Sequence, residues 1–389
     1  MGFDMSVHLL HQVGHNAKWN IQSFEDEGCG EGLILSPLHQ SIDSVAKLSA
    51  ETRAASMFDP QFYLPSSQKP KLLQYPFFPE AVGGGFKTSS FKSLALEVAK
   101  QCLGFQRDQG FRRIVVPTRF IDQLYTDYVD RQRAFTVDAF MEVAGSEPVT
   151  LALAVTAPMI ADQVFRTRLL NWITSYPAVD HVYLMYQQVR DTKQVGDSDF
   201  LRSAHDFFYE IQETGLALTV GYTNSECLMY CMLDEIELTV GAFENTRIFS
   251  IDKFVVSEED RRGPKARIYL PGLLNWVQFG DARDIRLKAP KVWEAVYAAT
   301  EHSEQALAQA VEPTFNQPPL YKHYFRIMQR ELDVVGAMQV EARIEYLLSR
   351  VEMARHWYQQ LKGADVYLER HGQGGHLAGW SSYLSGLKN

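Results

Sequence analysis

Seven short apolar runs, each ending in Pro, Gly or a polar cluster and each followed by a helix-like stretch, constrain this chain more than any other feature. They are Leu33–Ser36 before Pro-Leu-His-Gln, Ala55–Phe58 before Asp-Pro-Gln, Arg113–Val116 before Pro-Thr-Arg, Val149–Val155 before Thr-Ala-Pro, His181–Tyr186 before Gln-Gln, Leu216–Val220 before Gly-Tyr-Thr-Asn, and Ile236–Val240 before Gly-Ala-Phe-Glu-Asn-Thr-Arg. A further candidate is Ala266–Leu270 before Pro-Gly. Apolar β-branched runs alternating with helices read as parallel strands buried on both faces. With no Gly-rich phosphate fingerprint after the first of them, a closed, TIM-like (β/α)8 barrel is favoured over a doubly wound sheet. Barrel chemistry sits at the C-terminal strand ends, so the fold nominates its own site.

At 389 residues the chain exceeds a barrel of about 250 and leaves room for an extra module. The pattern divides it into a barrel over 1–288, with a long Pro/Gly-rich loop at 63–87, and a helical C-terminal domain over 289–389. Met1–Gly32 reads as a lead-in, a strand or a helix closing the barrel bottom. Barrel helices are predicted at Ser90–Cys102, Ile121–Val143, Met159–Thr174, Asp199–Glu213 and Asn224–Leu233, and C-terminal helices at Lys291–Ala310, Leu320–Met338 and Gln339–Lys362. The loop holds Pro65, Pro70, Pro76 and Pro79, then Gly83-Gly84-Gly85, with Tyr75, Phe77 and Phe78 between. It reads either as a lid or as a surface loop anchored by its aromatics. Lys87-Thr88 lacks the frame of a phosphate loop, and Glu258–Lys265 reads as a charged, solvated connector.

The four cysteines, Cys29, Cys102, Cys227 and Cys231, form neither a CxxC pair nor a metal-spaced set, so neither a disulfide scaffold nor structural zinc is expected. His371 and His376 lack further ligands nearby. No metal and no cofactor is therefore predicted. A net charge of −9 argues against a generic nucleic-acid surface, leaving only a local basic groove possible. No stretch has the length of a membrane span and no leader is evident, so a cytoplasmic protein without membrane contact is expected.

The strand ends collect amides and hydroxyls with few charges, which suits hydrogen-bond recognition of a polar, planar or polyhydroxyl small molecule. His39, Gln61, Arg119, Gln187, Asn224, Asn245 and Arg247 are the candidate binding residues. Asp59 and Glu244 are the candidate catalytic pair. If both reach the pocket, one serves as nucleophile or base and the other as acid, the arrangement that cleaves glycosidic bonds. The competing reading makes Asp59 a turn cap before Pro60 and Glu244 an ion-pair partner of Arg247.

The segment Thr219-Val-Gly-Tyr-Thr-Asn-Ser-Glu, the Cys227–Leu233 stretch and Glu235–Arg247 together resemble the last two β/α units of tRNA-guanine transglycosylase-type barrels. Arg267-Ile-Tyr-Leu-Pro-Gly-Leu is loosely similar to the strand that follows, and Phe58-Asp59-Pro-Gln-Phe sits where such enzymes place an early active-site Asp. The resemblance implies a glycosidic, nucleobase-directed activity. It makes Ile236–Val240 the eighth strand, Ala266–Leu270 an outer strand, and leaves one strand to be found between Pro60 and Arg112. The position expected to hold the nucleophilic Asp shows Thr239 or Gly241, and the family's zinc cysteines are missing. Only Asp59 is carried over, with Glu244 replacing the nucleophile, or a ligand bound without exchange. Three roles follow: a glycosidic-bond enzyme, a small-molecule sensor using the same pocket, and an assembly subunit acting through a protein partner or a second copy at 289–389.

Overall fold

A computed structural model describes residues 7–83, 92, 94–256 and 263–388. Eight parallel strands form one sheet: β1 (Val7–Gln12), β2 (Leu33–Leu35), β3 (Met57–Phe58), β4 (Ile114–Pro117), β5 (Val149–Thr156), β6 (Val179–Gln187), β7 (Ala217–Val220) and β8 (Ile236–Val240). Their order is β3-β2-β1-β8-β7-β6-β5-β4, and a single parallel bridge from Met57 to Arg113 joins the two edges. The sheet is thereby a nearly closed (β/α)8 barrel. β2 to β8 lie within or beside the seven runs named above.

The remaining strand is β1 and not a segment between Pro60 and Arg112, where the described residues hold no strand. β1 inserts between β2 and β8, pairing Val7 with Ile236 and His11 with Leu33. Its His8, His11 and Gln12 break the apolar run by which the other strands are recognised. Two of these polar residues find partners inside the fold: His11 contacts the Cys29 carbonyl at 2.9 Å, and Gln12 Oε1 accepts from the Tyr183 hydroxyl at 2.8 Å.

Burial on both faces explains the strand composition. All eight residues of β5, Val-Thr-Leu-Ala-Leu-Ala-Val-Thr, are buried. At the N-terminal end the interior is filled by a polar layer: Glu237 pairs with Arg112 at 2.6 Å and Arg113 at 3.2 Å, Thr219 donates to Glu237, and His181 contacts Thr219 at 2.7 Å. One layer up, the Tyr183 ring fills the space beside Gly221, where an added Cβ would lie 2.5 Å from it.

Several predicted helices are shorter than their apolar periodicity suggests, because caps and prolines interrupt them. The stretch predicted at Met159–Thr174 divides into Ala157–Ala161 and Gln163–Ile173, since the Asp162 side chain accepts from the Phe165 N–H and starts a new helix. Lys291–Ala310 likewise divides into Pro290–Val296 and Glu301–Leu307, with Thr300 capping the second. The stretch predicted at Ile121–Val143 starts as a helix only at Tyr128 and carries a wide turn over Arg133–Val137. Asn224–Leu233 keeps one helical turn, Cys227–Tyr230.

The outer strand expected at Ala266–Leu270 is β9 (Arg267–Leu270), which pairs antiparallel with β10 (Asn275–Gln278). Beyond it the chain is helical, chiefly Pro318–Gly336, Val340–Gly363 and Leu377–Leu387. These helices lie against the barrel. Phe325 meets His11 edge-on, Arg343 bonds the Cys231 carbonyl and Asp234, and Trp380 donates to the Val195 carbonyl at 2.6 Å. Gly379 lets the last helix touch the loop after β6, since an added Cβ would lie 1.8 Å from the Gly196 carbonyl oxygen. In the 63–87 loop, Tyr75, Phe77 and Phe78 are buried, and Tyr75 donates to the Gln40 carbonyl at 3.0 Å. That part is an anchored loop. Gly84, Gly85, Lys87 and Thr88 lie outside the described residues, as does most of the charged connector.

Candidate active site at the barrel mouth

A cleft of about 780 Å³ opens at the C-terminal strand ends, among residues that follow β1, β2, β3 and β8. His15, His39, Lys69, Lys71, Glu244 and Lys253 are on its walls. A second depression of about 510 Å³ lies at the opposite end beside Arg113, His181 and Glu237, whose charged groups already satisfy one another.

Below the cleft stands Asp59, directly after β3 and fully buried. Its Oδ1 accepts from the Gln61 backbone N–H at 3.0 Å and from the Tyr63 hydroxyl at 2.9 Å. The first of these bonds is the turn cap expected of an Asp before Pro60. The turn leaves Oδ2 buried and without a partner. A buried unpartnered carboxylate oxygen is rare enough to need an explanation.

Lys253 supplies the other half of the arrangement. It sits on the short turn Ile251–Phe254, tied down by Gln187 Oε1 accepting from the Ile251 N–H at 2.8 Å and by Ser67 donating to the Phe254 carbonyl at 2.5 Å. Its stem lines the cleft while its Nζ is buried, without a hydrogen-bond partner, 3.5 Å from the centre of the Tyr222 ring and about 5 Å from those of Phe249 and Phe254. The ring faces favour the ammonium. Lys253 and Asp59 feel one another's charge yet form no ion pair within 4.0 Å. Burial pushes the Asp59 carboxyl up to about 6, against the hydrogen bonds from Tyr63 and Gln61 and the nearby lysine charge. Burial also pushes the Lys253 amine well below its ordinary value, against the Asp59 charge. Burial thus draws both groups toward their neutral forms.

The surroundings are amides, hydroxyls and aromatic faces. Burial chiefly, and the Asp59 charge in addition, raises the phenol pKa of Tyr63, Tyr183 and Tyr222. Gln61 donates to the Tyr222 hydroxyl at 3.2 Å, and both residues hold left-handed backbone, at φ 58° and 56°. Such a conformation costs a non-glycine residue about 1–2 kcal/mol, and its persistence at two facing positions marks a site where geometry is imposed. Gln12 Nε2 and Ser36 Oγ, on the neighbouring strand ends, are also buried without partners.

The residues expected at the site are distributed unevenly. Asp59 and Gln61 are at its centre. His39 lines the cleft, and burial pushes its imidazole down to about 3, so it stays neutral. Gln187 acts indirectly, through Ile251. Glu244 and Asn245 are exposed on the lip, and Glu244 pairs with Lys193 at 2.6 Å, not with Arg247. Arg247 is buried against Trp276, 4.1 Å from its ring centre. Asn224 donates to the Lys193 carbonyl at 3.3 Å, and the Arg119 backbone is held by Gln132. These three are not brought to Asp59. Lys253, Tyr63 and Gln12 were missed. No local pattern marks Lys253, which lies beside Ser250 and Asp252 in the mixed stretch Ile248–Val256.

No family model, curated protein or solved structure matches the chain.

Proposed function

We propose that the chain is an enzyme that cleaves or exchanges a glycosidic bond, of the N-glycosidic kind that joins a base to a sugar, at the mouth of its barrel. The observation that carries this reading is Asp59: a buried carboxyl with one oxygen fixed by Gln61 and Tyr63 and the other unpartnered, at the end of a barrel strand. A carboxyl drawn up to about 6 can protonate a departing base and take the proton back. The unpartnered Gln12 Nε2 leaves a donor for a polar ligand near the strand ends. Lysines 69 and 71 on the cleft wall favour a ligand with negative charge. The resemblance of Phe58-Asp59-Pro-Gln-Phe to the early Asp segment of tRNA-guanine transglycosylase-type barrels points the same way.

The assembly role draws less support. Tyr383, Trp380, Leu347 and Val351 of the C-terminal helices are covered within the chain itself, and among the described residues only scattered large apolar side chains there, such as Val334 and Met353, are exposed.

The test is a thermal-shift screen of nucleobases, nucleosides and sugars, followed by chromatography of released base. A nucleoside that stabilises the wild type and loses its base is expected, with release by Asp59→Asn reduced about 10²–10⁴-fold, the range set by loss of a general acid. No stabilising ligand and no released base from any of them would sink the proposal.

A further inference from the structure

We infer that Lys253 is the covalent nucleophile of this site, attacking the anomeric carbon of a base-bearing sugar and holding the opened sugar as an imine. The inference rests on the glycosidic reading above and adds to it a residue, an intermediate and a ligand class, an aldose with an anomeric carbon that can become an aldehyde.

The geometry sets Lys253 apart from the other lysines of the cleft. Lys71 donates to the His39 carbonyl at 3.2 Å. Lys253 is instead anchored at both ends of its turn on the cleft wall, with its amine buried over the face of Tyr222, whose hydroxyl accepts from Gln61, and near Phe254, on which the Asp59 partner Tyr63 packs edge-on. An amine with no hydrogen-bond acceptor of its own can give its electron pair to carbon once a neighbouring group takes its proton. Asp59 Oδ2, likewise buried and unpartnered, is assigned that part.

The steps balance without an oxidant or reductant. The Lys253 nitrogen pair forms a bond to the anomeric carbon as the bond to the base breaks, and the base leaves with that electron pair and a proton from the Asp59 carboxyl. The new ammonium returns a proton to Asp59. The nitrogen pair then expels the ring oxygen, which takes that proton, and a protonated imine results. Water adds to the imine carbon, the open-chain aldose departs, and the amine and the carboxylic acid are restored. The sum is nucleoside plus water giving base plus aldose.

The experiment uses the full chain with inosine, guanosine and 2-deoxyribose as probes, sodium cyanoborohydride as trap, and peptide mass mapping as readout. Expected is a reduced sugar adduct on Lys253 and none on Lys69 or Lys71. Lys253→Arg, which keeps the charge and cannot form the imine, should carry no adduct there and release no base. The wild-type map needs no variant, so a misfolded Lys253→Arg does not obscure the answer. Base release that depends on Asp59 but leaves Lys253 unlabelled would overturn the covalent step while leaving the glycosidic reading intact. Absence of release, adduct and ligand stabilisation together would remove both.

Discussion

Asp59 is held in a state that folding opposes and a reaction can use. Its folded-state pKa of about 6 lies above the ordinary 3.8, so between those values the folded chain retains a proton that the unfolded chain has released. Stability is therefore lost as pH rises through that window, and the full cost is present above it. For a fully buried group a gap of this size is about 1–3 kcal/mol. Asp59→Asn keeps an oxygen for Gln61 and Tyr63 and removes the charge, so it should melt higher than wild type at pH 8 while losing activity. The advantage should fall by about half at pH 5, a comparison that differential scanning calorimetry can make. An unchanged or lower melting temperature at pH 8 would mean that Asp59 is a structural partner of Lys253. Asp59 was legible because Phe58-Asp59-Pro60 ends an apolar run, where a barrel exposes its chemistry. Lys253 was not legible, because its importance comes from where its amine ends up, and neither the aromatic rings nor the turn that place it follow from local spacing.

Elements repeat that contrast. Runs such as Val149–Thr156 announce themselves because strands buried on both faces tolerate little but apolar side chains. β1 is hidden because its His11 and Gln12 have partners that lie far away in sequence or arrive only on folding. The polar layer of Glu237, Thr219 and His181 inside the N-terminal end is concealed in the same way, within runs otherwise read as strands. Its role is cohesion: removing Glu237 leaves Arg112 and Arg113 facing one another without the carboxylate that pairs with both. Both arginines are partly solvated, so Glu237→Ala should cost about 2–3 kcal/mol in urea unfolding, less than a fully buried pair. Because the layer is at the far end from Asp59, ligand-induced stabilisation should survive that change. Loss of ligand binding at full stability would contradict this assignment.

At the scale of the whole molecule, the C-terminal helices and the barrel share their buried histidines, and these set its response to acid. Burial pushes His11 and His323 down to about 4, and His181 and His376 to about 3. Each folded value lies below the ordinary 6.5, so the unfolded chain binds protons that the folded chain refuses, and stability falls as pH drops from about 6.5 toward 4. His39 and His205, also lowered by burial, add to the four, while Asp59 and His8, whose imidazole the Glu31 hydrogen bond raises, work in the opposite direction. The melting temperature followed by circular dichroism should therefore decline steeply below pH 6.5, and a flat profile from pH 7 to 5 would contradict this account.

The placing of β1 between β2 and β8 also governs when the barrel can exist at all. β1 leaves the ribosome before its longest partner, β8, which follows more than two hundred residues later. Val7 is later packed against Gly336, later still in synthesis. Until then β1 is a strand with an unpaired edge, and its closure is the long-range contact that loop entropy delays most. A nascent chain that stalls before Ile236 presents that edge to its neighbours, so slow translation through this region favours pairing between chains over completion of one.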